Sequence, residues 1–175
     1  MNSNASASLF VIAGIIAISA MLTSSALAHG NHSPTPPTKA TRVGPAALVQ
    51  LETVRDAASR YLDVDAAVAD GYVDIGAFVP GMGWHYVSSE RIDKHFNPEH
   101  PEILVYVDDP CGGKRRLVAV EYAIPLPLSK KAPAGFIGRA DLWHADEALG
   151  LWTLHAWIWE YNPDGVFAPY NPRVP

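Results

Sequence analysis

From Gly71 to the C-terminus the apolar residues come in short runs cut by Pro, Gly and Asp clusters. This punctuation constrains the fold more than any other feature of the chain. Short runs suit strands, and the turn-forming residues between them impose reversals. The candidate strands are Trp84 to Val87, Ile103 to Val107, Leu117 to Ile124 and Leu151 to Trp159. The second and third flank Asp108-Asp109-Pro110-Cys111-Gly112-Gly113, which reads as a hairpin with Cys111 at its tip. Pro125 to Arg139 is a long loop interrupted by Pro125, Pro127 and Pro133. Two Asn-Pro turns, Asn162-Pro163-Asp164-Gly165 and Asn171-Pro172, mark the C-terminal stretch.

Upstream of Gly71 the texture is helical. Leu48, Leu51, Val54, Ala58, Tyr61, Val64 and Val68 recur at steps of three and four, which predicts one apolar face. Gly44-Pro45 suits the start of this helix and Gly71 the residue past its end, with Asp56 and Arg60 as an i,i+4 pair on the far side. The fold class expected is α+β: one long N-terminal helix packed on an antiparallel sheet that can curl into a small barrel, forming a single domain over residues 45–175.

The first residues read as an address. Leu9 to Leu22 is apolar and uncharged, the length of a signal-peptide core and short for a bilayer-crossing helix. Ala26-Leu27-Ala28 then supplies the small-x-small pattern of a cleavage site, although Met1 to Ser8 lacks Lys and Arg, which leaves an uncleaved anchor as the lesser reading. The reading is a signal peptide over residues 1–28, a Pro-rich flexible leader over residues 29–44, and export to the periplasm or the outside. Cleavage after Ala28 removes 28 of the 175 residues and leaves 147, with no second apolar run able to span a membrane stably.

The net charge of −5 argues against nucleic acid and anionic membrane surfaces as partners. Cys111 is the single cysteine, so no internal disulfide forms; the Lys114-Arg115-Arg116 run could lower its pKa, but no nucleophile constellation surrounds it. Cys111-Gly112-Gly113-Lys114 lacks the strand-loop-helix context of a phosphate loop. Nothing in the pattern sets an oligomeric state.

The chemistry-bearing anomaly is one ionisable residue inside each of three apolar strands: His85 in Trp84 to Val87, Glu121 in Leu117 to Ile124, and His155 in Leu151 to Trp159. Burying such a group costs free energy unless it is paired, hydrogen-bonded or bound to a metal. Neighbouring strands would bring the three to one face. Two His and one carboxylate serve catalytic zinc and non-haem iron, and His144 is a candidate fourth ligand. On the plainer reading these are satisfied core residues, and Glu121 pairs with an arginine such as Arg139 or points to solvent. Its same-face neighbours Leu117, Ala119 and Ala123 argue for an inward side chain. Trp157 and Trp159 share the face of His155 by strand alternation, with Trp152 opposite, and are candidates to contact an apolar or planar ligand; the plainer reading is that they fill the core. Cleavage would also place His29 at the N-terminus with His32 close by, donors that suit copper, though a coincidence in an unpacked leader is the simpler account.

Five stretches carry a resemblance: Gly81-Met82-Gly83-Trp84-His85-Tyr86, Leu117 to Tyr122, Leu154 to Trp159, Asn162 to Phe167, and Asn171-Pro172. Over Tyr72 to Val174 the chain resembles a family of exported bacterial proteins of unknown function. The resemblance implies export and a single domain, and no activity. The function expected is an exported binding protein that holds a transition metal (zinc, iron or copper) or a small ligand at His85, Glu121 and His155. The alternatives are a metal-dependent enzyme using the same residues, and a structural envelope module with no bound ligand.

Overall fold

The computed structural model describes residues 42–175. The signal segment, His29, His32 and nearly all of the leader lie outside the described residues. Gly44 precedes helix α1 (Pro45–Ala58), with Pro45 in the first turn, where its missing N–H has no intrahelical partner to lose. Ala47, Leu51, Val54 and Ala58 are its buried residues. The helix stops there. A 3-10 turn covers Ser59–Leu62, and Asp63 takes an extended backbone with φ −89° and ψ 112°. Its carboxylate then accepts the N–H of Asp65 at 3.3 Å, capping a short helix α2 (Val64–Ala69). The single long helix expected is therefore three pieces. An aspartate that offers its own oxygen to a nearby backbone N–H competes with helix continuation.

The buried face also differs from the one expected. Leu48 and Val68 are exposed, while Ala47 and Ala67 are buried beside them. Arg60 pairs with Asp70 at 2.8 Å, not with Asp56, because the 3-10 turn rotates it toward the end of α2.

Six strands follow: β1 (Val73–Val79), β2 (Gly83–Val87), β3 (Ile103–Val107), β4 (Arg116–Pro125), β5 (His144–Asp146) and β6 (Leu151–Ala156). They form one sheet in the order β1-β2-β3-β4-β6-β5, with every neighbouring pair antiparallel. The sheet is open, with β1 and β5 at its edges, so the barrel expectation is overturned. A three-residue β5 that pairs only with β6 offers β1 almost no ladder to close on.

The apolar runs predicted as strands are all strands, and the β3–β4 hairpin leaves Cys111 exposed in its loop. The last run ends early, at Ala156, because Trp157 N–H turns to the Val166 carbonyl and Trp159 N–H to that of Val118. The two edge strands were not predicted. Asp74 and Gly76 break the apolar pattern of β1, and β5 is too short to show a period.

Both faces of the central strands are covered. On one, α1 and the 3-10 turn pack Val54, Ala58 and Tyr61 against Leu104, Tyr106, Leu117, Val120, Tyr122 and Leu154. The register shifts between Val105 and Tyr106, where Val105 faces Ala119 but Tyr106 faces Leu117. This bulge leaves Val118 as the extra residue, so Leu117 joins the helix-side core while Ala119 and Ala123 stay with Glu121 on the other face. The C-terminal segment returns to that other face. Gly81 donates to the Pro175 carbonyl and accepts from Asn171 N–H, each at 2.8 Å. Gly83, at φ 117°, opens β2 so close to β3 that a Cβ there would lie 2.4 Å from the Tyr106 carbonyl oxygen.

Candidate metal centre

The ladder register builds the site. Glu121 on β4 stands directly opposite His155 on β6 and opposite Ile103 on β3. His85 on β2 is opposite Val105, two positions along β3 on the same face. His85 and Glu121 thus approach diagonally across β3, over two β-branched side chains too short to separate them. The three side chains meet at one place, with one donor atom from each all lying within 4.8 Å of one another.

The facing atoms are known. His85 Nε2 lies 3.6 Å from Glu121 Oε2, and His155 Nδ1 lies 3.6 Å from Glu121 Oε1. The two imidazoles are nearly perpendicular, at 87°, with centroids 6.4 Å apart. Each ring is held from behind. His85 Nδ1 sits 3.3 Å from the Ala77 carbonyl, which fixes the proton on Nδ1 and leaves the Nε2 lone pair aimed inward. His155 stacks on Trp157 at 5.9 Å and 13°, and its Nε2 is buried without a hydrogen-bond partner.

These groups are exposed by only 8% (His85), 5% (Glu121) and 3% (His155). Burial raises the pKa of Glu121, with Asp146 adding to the rise and His85 and Thr153 opposing it. Burial lowers His85 below its ordinary value against the pull of Glu121. It pushes His155 down to about 4. Desolvation disfavours the charged form of all three. Both imidazoles are neutral near pH 7, the form in which His ligates a metal.

The spacing leaves room for an ion among the donors. At 3.6 Å the nitrogens and the carboxylate oxygens stand beyond hydrogen-bond length. A tetrahedral ion with bonds of about 2.0–2.2 Å separates neighbouring donors by about 3.3–3.6 Å. Two neutral imidazoles and a carboxylate are also a donor set that zinc and ferrous iron accept.

A cavity of about 340 Å³ adjoins these residues. Its walls are Ile75, Ala77 and Val79 from β1, Met82, the loop carrying Leu142 to Leu149, and Pro169 and Tyr170 of the C-terminal segment. Of these wall residues only His144 was singled out from the sequence. Thr153, which shares the face of His155 by strand alternation, could have been.

The remaining sequence candidates fall outside the cluster. His144, opposite Thr153 on β5, is exposed and lines the cavity without joining the three converging donors. Trp157 is buried behind His155 and donates Nε1–H to the Ala168 carbonyl at 2.7 Å, so it supports a site residue and does not line the cavity. Trp159 packs on the helix side under Arg55, since the chain leaves the ladder after Ala156 and alternation no longer applies. Comparison with protein-family models, with curated proteins and with solved structures finds no match.

Proposed function

We propose that this is an exported transition-metal-binding protein whose ion is held by His85, Glu121 and His155. One observation carries the reading: three buried donors from three strands converge within 4.8 Å of one another, and each imidazole faces the Glu121 carboxylate at 3.6 Å. Export rests on the uncharged Leu9 to Leu22 run followed by Ala26-Leu27-Ala28.

Metal analysis of protein purified without added metal tests the proposal. About one equivalent of zinc, iron or copper is expected. His155→Ala and Glu121→Ala should abolish it or weaken affinity steeply, while His144→Ala should keep it. Metal-free protein that also fails to take up any of these ions would refute the reading and favour the structural module.

The cavity supports a second reading, a metal-dependent enzyme. Three protein ligands leave at least one coordination position, and the cavity is where a reactant would reach it.

A further inference from the structure

We propose that the cavity beside the three donors takes a small organic monoanion, bound by its anionic head to the metal and by an apolar body to the walls. This inference rests on the metal reading above. Charge sets the head. A divalent ion ligated by one carboxylate and two imidazoles carries a single positive charge among almost fully buried side chains, which Asp146 on the cavity lining offsets only from outside the three donors. Such a charge is costly to leave uncompensated in a desolvated site. Among the described residues no Arg or Lys lines the cavity, so the ion would supply the positive charge that an entering anion meets, with Thr153, His144 and Tyr170 as polar neighbours. Asp146 sits at the lining with Oδ1 accepting the Leu149 N–H at 2.9 Å, and its charge opposes a second anionic group away from the ion.

The walls set the body. Ile75, Val79, Met82, Leu142, Leu149 and Leu151 present aliphatic surface, and the side chains offer few polar groups beyond the three donors, Thr153, His144 and Asp146. The volume of about 340 Å³ equals that of about eleven waters, which limits the guest to roughly a dozen heavy atoms. A medium-chain carboxylate or a substituted phenolate meets both conditions.

The test uses cobalt(II) as a spectroscopic stand-in for the native ion. Purified protein is loaded with cobalt, and its visible absorption is followed during titration with acetate, butanoate, hexanoate, octanoate and 1-octanol. Each buried methylene should strengthen binding about fourfold. Octanoate should therefore perturb the spectrum at a concentration lower than acetate by on the order of a hundredfold or more, and 1-octanol should be far weaker than octanoate. Val79→Phe, which fills the cavity from β1, should keep the cobalt spectrum and remove the octanoate advantage. The chain-length series on the unaltered protein stands even without that variant.

Equal potency of acetate and octanoate would overturn the inference while leaving the metal site intact. So would 1-octanol matching octanoate. A protein that binds no cobalt, or one whose cobalt spectrum survives His155→Ala, would overturn the metal reading and this inference with it.

Discussion

Single residues show what burial does to ionisable groups in this protein. Glu102 is 2% exposed, just before β3, and its carboxyl accepts the Ala123 N–H at 3.1 Å. Burial pushes its pKa up to about 8 from 4.5, so the folded protein holds a proton that the unfolded chain releases at lower pH. The sign follows directly. The contribution is fully present below pH 4.5, shrinks as the pH rises toward 8, and is lost above it. Glu102→Gln should remove this dependence. Relative to the unaltered protein it should gain on the order of a few kcal/mol on going from pH 5 to pH 9, read from denaturant midpoints at the two values. Identical pH dependence in both proteins would show that Glu102 is ionised in the fold. Glu121 differs in having two imidazoles before it. That contrast, and not burial alone, separates the proposed ligand Glu121 from Glu102.

At the scale of elements, the helical segment and the bulge decide which residues work. Leu51 is buried in α1 and Leu48 is half exposed three residues earlier. Leu51→Ala should cost about 2–4 kcal/mol, and Leu48→Ala less than about 0.5. Chemical denaturation of both variants measures the difference, and equal costs would refute the assignment of the buried face. Gly83→Ala should be similarly severe, about 2 kcal/mol or more, since it combines a left-handed backbone with a clash against the next strand. Because Gly83 positions the strand that carries His85, this variant should also weaken metal uptake. Preserved stability and uptake together would show that β2 can shift without loss.

At the scale of the whole molecule, the proposed metal binding would be linked to folding. The donors come from β2, β4 and β6, which adopt one geometry only when the sheet is assembled. An ion that binds the folded state alone stabilises it by about 2.7 kcal/mol at a hundred times its dissociation constant. Added metal should accordingly raise the unfolding temperature, and the rise should vanish in His155→Ala. A thermal scan showing no rise in the unaltered protein would count against a site that depends on the fold. Processing belongs to this scale as well. Intact-mass measurement of the exported protein should give a chain beginning at His29, and a species retaining Met1 to Ala28 would contradict cleavage. Among the described residues no helix is long and apolar enough to cross a membrane.

The sequence by itself determined the local states. Apolar runs between turn clusters became strands, and Asp108 to Gly113 became the hairpin loop, because side-chain period and turn chemistry act over a few residues. It also marked His85, Glu121 and His155, since a lone ionisable group in an apolar strand is anomalous wherever the strand lies. Only the tertiary structure decided that the three meet. Strand order set which ladders adjoin, and the β3–β4 bulge moved Leu117 to the opposite face from Glu121. The return of the chain at Ala156 kept Trp157 behind His155 and sent Trp159 to the helix side. The cavity likewise draws its walls from both ends of the domain, which local pattern does not encode. Pairing over such separations is settled by packing and backbone hydrogen bonds across the whole sheet, where a one-residue slip exchanges the two faces.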